Sequence, residues 1–365
     1  MADFIPQFMP WFDDREADAV DAYMRAGGWL TEFQETKKFG DAIAEYTGAR
    51  FCSVQANGTV TMTAALWAMG IGKDDEVIVP DYTMIATANA VRMADGAVPV
   101  FADVELATMC LDVDSVAAAI TPRTKAVMLV SINGRYPNRL EELVALCEKR
   151  GIALLEDAAQ SLGSFYKGRH IGRAGKIASF SFSMPKIITT GQGGALITDD
   201  EDLYKKVELV KNFGRVQAGV DMHVFFGVNF KFTDLQAVVG QVQMSKVPER
   251  VPLKRDLYHT VKGRLAHVKQ VRFFENSDDT TPWFNDALVE DRAALIAHLK
   301  ARGIGSRSFY PPVHTQAPYN GQLGRFPVAE YLAANGLWLP SHPQMSDNDV
   351  DRIVVGVESF YKGRA

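Results

Sequence analysis

The chain has 365 residues, 47% of them hydrophobic and 23% charged, with a formal net charge of −5. That composition describes a globular protein with a large core, and the length suits one large domain joined to a smaller one. It has no basic tail and no apolar run long enough to cross a bilayer, so neither nucleic acid nor membrane is expected as a partner. The segment MADFIPQFMPWFDDREAD lacks a basic region followed by a long apolar run, so a cytoplasmic rather than a secreted protein is expected. Cys52, Cys110 and Cys147 have no CxxC spacing and read as reduced packing thiols, with no metal site.

In chain order, apolar β-branched runs occur at 51–55 (FCSVQ), 76–80 (EVIVP), 98–104 (VPVFADV), 125–132 (KAVMLVSI), 152–157 (IALLED), 177–182 (IASFSF) and 194–199 (GALITD). Most precede a stretch of helical periodicity, such as 59–70, 86–95 and 139–150. Buried strands alternating with helices predict an α/β fold: a mostly parallel seven-stranded sheet with helices on both faces. The short Gly-rich link between the last two runs predicts an antiparallel strand at one edge of that sheet.

From about residue 200 the pattern changes. Residues 200–213 and 233–267 read as helical, short strand-like pieces follow 268, and 291–302 reads as a helix. The segment RSFYPPVHTQAPYN is rich in proline and aromatic residues. The expected division is a large α/β domain over 1–249 and a smaller α+β domain over 250–365, with the N-terminal segment packed on the latter.

Ligands of open α/β sheets sit at the carboxyl ends of the strands. Three such ends carry chemistry. At Gln55-Ala56-Asn57-Gly58-Thr59, Gly58 permits a tight turn and Thr59 begins a helix whose free N–H groups favour an anion such as phosphate; an Asn-Gly turn with an ordinary Thr cap explains these residues equally well. Asp157 closes the run IALLED, where a desolvated carboxylate needs a partner unless it merely caps the next helix. Lys186 lies between an apolar strand and the Gly-rich IITTGQGGALITDD, a setting in which desolvation frees a neutral amine for Schiff-base chemistry. Ser181, shortly before it, is placed to bind phosphate.

The segments SFSMPKIITTGQGGALITDD, ALLEDAAQSLGSFYKGRHIG, ANGTVTMTAALWAMGIGKDDEVIVP and FGVNFKFTDLQAVVGQVQ resemble the DegT-type nucleotide-sugar aminotransferases, over nearly the whole chain. The resemblance implies fold-type I architecture and pyridoxal 5'-phosphate (PLP) as cofactor. It matches Lys186 to the Schiff-base lysine, Asp157 to the partner of the pyridine nitrogen, Gln160 to a residue near the ring hydroxyl, and Gly58, Thr59 and Ser181 to phosphate contacts. It matches Asn229 to an asparagine that reaches the phosphate held by the neighbouring subunit, which implies a homodimer with shared active sites. Tyr310 and His314 match a segment that lines the sugar site.

Several positions depart from the family pattern. Met84 stands where relatives carry an aromatic residue against the PLP ring, and Tyr82 is out of register with it. Gln192 replaces an acidic residue, Lys231 replaces an arginine, and the loop Asn133-Gly134-Arg135-Tyr136-Pro137-Asn138, expected beside cofactor or sugar, is unlike that of relatives. The reaction implied is transfer of an amino group from L-glutamate to a 4-keto-6-deoxy sugar carried by a nucleotide. The alternatives are an aminotransferase for another keto sugar or a cyclitol, and a non-catalytic PLP-binding regulatory protein. A dehydratase branch of the family has His where this chain has Lys186, and no GxGxxG follows a strand to support a dinucleotide module.

Overall fold

The computed structural model describes residues 4–217, 219–320 and 324–363. The first helices are α1 (Asp14–Arg25) and α2 (Gln34–Thr47). Asp13 and Glu16 close a reciprocal capping box on α1. No side chain of its own N-cap residue caps α2; Asp234 instead accepts from the N–H groups of Phe33, Glu35 and Thr36.

The strands β1 (Phe51–Gln55), β2 (Glu76–Pro80), β3 (Val98–Ala102), β4 (Thr124–Val130) and β5 (Ala153–Asp157) follow. A small hairpin, β6 (Phe165–Tyr166) and β7 (Arg169–His170), precedes β8 (Ile177–Ser181) and β9 (Gly194–Thr198). All but the hairpin form one seven-stranded sheet in the order β1-β9-β8-β5-β4-β2-β3. The antiparallel strand is β9, which pairs with β8 and β1 alike. It therefore lies one strand in from the edge, with β1 outside it, and not at the edge as the Gly-rich link had predicted. A tight link from β8 forces β9 to lie beside it, and the turn after β1 then closes over the open side of β9.

Alternate strand residues face opposite ways. Val77 and Val79 join a core with Met62 and Leu66 of α3 (Gly58–Ala68), Val91 of α4 (Ala86–Met93) and Val207 of α7 (Glu201–Lys211). Ile78, Val127 and Leu129 join a second core with Phe39 of α2, Val116 of α5 (Val113–Ala119), Leu143 of α6 (Leu140–Arg150) and Met244 of α8 (Asp234–Ser245). Helices thus cover both faces.

The stretch expected to be helical over 233–267 is two helices, α8 and α9 (Val247–Arg264), which meet at Lys246. Pro248 sits in the first turn of α9, where its missing N–H costs nothing. Beyond them, β10 (Val271–Phe273), β11 (Asn285–Val289), β12 (Arg307–Ser308) and β13 (Gly336–Leu339) form an antiparallel sheet in the order β10-β11-β13-β12. It packs with α9, α10 (Arg292–Ala301) and α12 (Asp347–Lys362) in a third core. α9 runs between the two sheets, and residues 249 and 250 both lie within it. Between β12 and β13, α11 (Pro327–Asn335) is anchored by Asp103, which accepts from the N–H groups of Val328 and Ala329. Near the N-terminus, Ile5 exchanges backbone hydrogen bonds with Gly303 and Gly305.

Candidate active site

The carboxyl ends of β1, β5 and β8 bring the expected residues to one edge of the sheet. At the first, Asn57 and not Thr59 caps α3: its side chain accepts from the N–H groups of Thr59 at 3.0 Å and Val60 at 3.1 Å. The Thr59 hydroxyl has no hydrogen-bond partner among the described residues. Gly58 is required by close approach, because a Cβ there would stand 3.0 Å from that of Ser181 at the end of β8. The phosphate turn and Ser181 are thus in contact. The Ser181 hydroxyl itself is only 3.3 Å from that of Ser183.

Asp157, at the end of β5, is 6% exposed. Its Oδ2 accepts from the Thr87 hydroxyl at 2.8 Å and its Oδ1 from the Ala159 N–H at 3.1 Å. Burial raises its pKa, while these bonds and the charge of Lys186 oppose that rise. No cationic side chain pairs with it among the described residues. Thr87 was not foreseen; its place on the first turn of α4, just past the end of β2, was the available signal.

Lys186 is half-buried, and burial lowers its pKa to about 8 against the opposing pull of Asp157. Its Nζ lies 4.0 Å from the centre of the Trp283 ring. One cavity is lined by Lys186, Gln160, Ser181, Arg250, Lys254 and Trp283. Asp157, Thr59 and Met84 are not on its wall, so it adjoins the strand-end cluster without containing it. Trp283 carried no local sequence signal.

Gln160 accepts from the N–H of Asn133 at 2.8 Å. Asn133 has φ 53° and exchanges two hydrogen bonds with the backbone of Phe284. The rest of that loop turns away from the strand ends. Arg135 forms a two-pronged buried pair with Asp286, at 2.7 and 2.9 Å. Tyr136 bonds to buried Glu156. Of the loop expected beside cofactor or sugar, Asn133 thus meets Gln160, while buried carboxylates take up the side chains of Arg135 and Tyr136.

Met84 is exposed, and its sulfur accepts from the Ala86 N–H at 3.0 Å. Tyr82 points inward, with its ring 5.7 Å from that of Phe309 and 6.3 Å from that of Tyr310. Tyr310 packs edge-on against Trp338 at 4.7 Å, and burial raises its pKa, with the Asp157 charge adding to the rise. His314 is held by buried Asp81, through Nδ1 at 2.7 Å and through its backbone N–H at 2.8 Å. Its other neighbours are Glu330 and Phe326, so it joins none of the other expected site residues directly.

Asn229 is exposed. The carbonyl of its neighbour Phe230 accepts from the Ala56 N–H at 2.9 Å, which puts Asn229 beside the turn of its own chain. Several large apolar side chains of this domain are exposed, Phe226 at 71%, Val216 at 67% and Trp29 at 63%.

Residues 11–358 match the model of the DegT/DnrJ/EryC1/StrS aminotransferase family. A protein of Escherichia coli O157:H7 named GDP-perosamine synthase is 32% identical over 364 residues, covering 99% of this chain and 100% of that protein. One of the same name from Caulobacter vibrioides is 32% identical, covering 96% of each. Among solved structures, the aminotransferase TlmJ of Streptoalloteichus hindustanus superposes with a TM-score of 0.93 at 31% identity, covering 98% of this chain and 99% of that one. The PLP form of a Streptococcus pneumoniae protein described as a sugar aminotransferase also gives 0.93, at 25% identity and 99% coverage of each chain.

Proposed function

The chain belongs to the DegT/DnrJ/EryC1/StrS aminotransferase family, and from that premise we propose that it uses PLP to move an amino group from L-glutamate to the 4-keto carbon of a nucleotide-linked 4-keto-6-deoxy sugar, as the name of its perosamine-synthase relatives suggests. The observation that carries this reading is the pairing, at adjacent strand ends, of a desolvated lysine with a buried carboxylate that has no cationic partner.

The residues present fit the cofactor. A buried carboxylate held only by a hydroxyl and one N–H is suited to a protonated ring nitrogen. Gly58 packs directly against Ser181, which sets Ser181 beside Thr59 at the N-terminus of α3, a setting that favours a phosphate. When bound, PLP supplies a carbonyl that captures amines and a ring that accepts electron density from the neighbouring carbon.

Lys186 has two tasks. Its amine, with a pKa near 8, is neutral in an appreciable fraction of molecules at neutral pH and so is nucleophilic. With its amine free, Nζ would be placed to take the proton from the donor's α-carbon as a general base and to give it back as a general acid. Asp157 holds a proton on the ring nitrogen through its charge. Gln160, fixed by Asn133, orients the ring's polar edge. The overall exchange would turn L-glutamate and the keto sugar into 2-oxoglutarate and the amino sugar. Tyr310 lines the sugar side. His314, locked onto Asp81, offers Nε2 to the sugar nucleotide.

The exposed apolar side chains, Trp29 and Phe226 among them, support a homodimer in which they are covered and Asn229 reaches the neighbouring site. No helix among the described residues is long and apolar enough to cross a membrane, and the three cysteines are free, both in keeping with a cytoplasmic enzyme.

The test is direct. The protein loaded with PLP is reduced with borohydride to locate the modified lysine. It is then incubated with glutamate and a panel of GDP-, dTDP- and UDP-linked 4-keto-6-deoxy sugars, and products are identified by mass. Modification at Lys186 and one aminated sugar nucleotide are expected. Modification elsewhere, or amination of none of the panel, overturns the assignment.

A further inference from the structure

Lys186 has a difficult electrostatic position. Its amine is desolvated, and among the described residues it makes no ion pair and no side-chain hydrogen bond. The charged groups around it are Asp157 at the end of β5 and, on the wall of the shared cavity, Arg250 and Lys254 of α9. Two of those three are cations. Asp157 favours the ammonium through its charge, and the direct contact present is the face of Trp283, 4.0 Å from Nζ.

The indole is set in place from three sides. Its Nε1–H donates to the carbonyl of Pro185, the residue that carries Lys186. Its ring stacks on Phe284 at 3.8 Å and meets Trp338 at 6.1 Å. Its own carbonyl accepts from Lys254 Nζ at 2.7 Å, and Lys254 spends its other protons on the carbonyl and hydroxyl of Ser341, at 2.5 and 2.6 Å. Lys254 is buried and has no acidic partner among the described residues. It therefore serves as a three-way tie between α9, the residue just before β11 and the residues just after β13.

We propose that Trp283 is a positioning residue for Lys186: its indole face is the resting place of the free Nζ ammonium, and its N–H fixes the peptide from which the lysine projects. This rests on the reading of Lys186 as the reacting amine. Such a lysine must be attached in one stage of the cycle and detached in the next. A π face stabilises the detached, charged form without imposing the directional hydrogen bonds that would trap it.

The experiment uses the cofactor-free protein, so that it reads the amine itself. Trace labelling with acetic anhydride at fixed pH, with the Lys186 peptide quantified by mass spectrometry, reports the neutral fraction of that amine apart from that of Lys254. Wild type is compared with Trp283→Phe, which keeps a ring, and Trp283→Met, which removes it while keeping an apolar side chain. Labelling of Lys186 in the Met variant is expected to rise roughly threefold to tenfold, because the charged form loses the face that favoured it; the Phe variant is expected to stay within about twofold of wild type. Labelling in the Met variant at or below the wild-type rate, or equal rates in the two variants, overturns the proposal. Should the variants fail to fold, wild type alone decides. After reductive ¹³C-methylation, the Lys186 signal, identified by its loss in Lys186→Arg, is expected to be displaced by the ring current of the indole, and a signal coincident with those of solvent-exposed lysines overturns the proposal. Borohydride trapping at another lysine would instead defeat the functional reading while leaving these results intact.

Discussion

The Thr87 hydroxyl donates to Asp157 Oδ2 across 2.8 Å, and with the Ala159 N–H it makes the hydrogen bonds that this carboxylate, 6% exposed, accepts among the described residues. Burial outweighs those bonds and raises the carboxyl's pKa.

The sign of the resulting pH dependence follows. A carboxyl whose pKa is raised on folding ionises more readily in the unfolded chain. Wild-type stability is then undiminished at low pH and falls as pH rises through the folded-state value. Asp157→Asn removes that slope. The cofactor-free variant should be more stable than wild type in denaturant unfolding at neutral pH, and the difference should vanish below about pH 4, where the unfolded carboxyl is protonated. The same variant should slow the half-reaction with glutamate by about a hundredfold or more in single-turnover kinetics. Unchanged rates would leave Asp157 as a helix cap only.

Asn229 is exposed while its neighbour Phe230 is bonded to the turn of its own chain, so its side chain is near two possible sites. Subunit mixing separates them. A heterodimer of Lys186→Ala with Asn229→Ala contains one intact site if Asn229 serves the partner, and none if it serves its own subunit. Random exchange between inactive parents should restore about a quarter of wild-type activity. Zero recovery, with exchange demonstrated by mass, would reject the shared site.

Gly58→Ala introduces a methyl 3.0 Å from the Ser181 Cβ, closer than carbon atoms pack without displacement. The expected cost is about 1–3 kcal/mol of unfolding free energy, accompanied by weaker retention of PLP, read by equilibrium dialysis. Loss of stability with unchanged PLP affinity would detach the turn from phosphate binding.

The Arg135–Asp286 pair is sealed from solvent, with side-chain exposures of 4% and 0%. Asp286→Ala leaves a buried guanidinium without its counter-charge and should cost about 3–5 kcal/mol in denaturant unfolding. Removing the exposed Lys37–Asp41 pair should change stability by less than about 1 kcal/mol. Equal effects would mean that Arg135 finds another partner.

The sheet and its strand-end residues were legible because their signals are local. Apolar runs, a Gly-rich turn, and a terminal Asp or Lys each announce themselves within a few residues. What sequence missed depends on contacts between distant segments. Thr87 and Trp283 are ordinary residues until α4 and the approach to β11 bring them against Asp157 and Lys186. Asp234 looks like the start of its own helix, yet it caps α2. Met84 was marked by the family pattern, but nothing local foretold that its sulfur would fold back on Ala86. Arg135 and Tyr136 were expected near the ligand because they follow a strand end; two buried acids, far along the chain from one another, decide otherwise.

The placement of β9 has a consequence for how the molecule is made. Among the described residues β1 pairs along its length with β9, Phe51 opposite Thr198, and adds a single bridge from Gln55 to Lys231. A chain emerging from the ribosome presents β1 and its turn long before that partner exists. Through the synthesis of every intervening strand, 51–55 is an open template for mispairing with another nascent copy. The seating of the turn after β1 against Ser181 and Gly194 is consequently among the last features of the large sheet to form. Slowing translation ahead of residue 194 would lengthen the exposure, and helices α2 and α3, which can form early from neighbouring sequence, are the available shield.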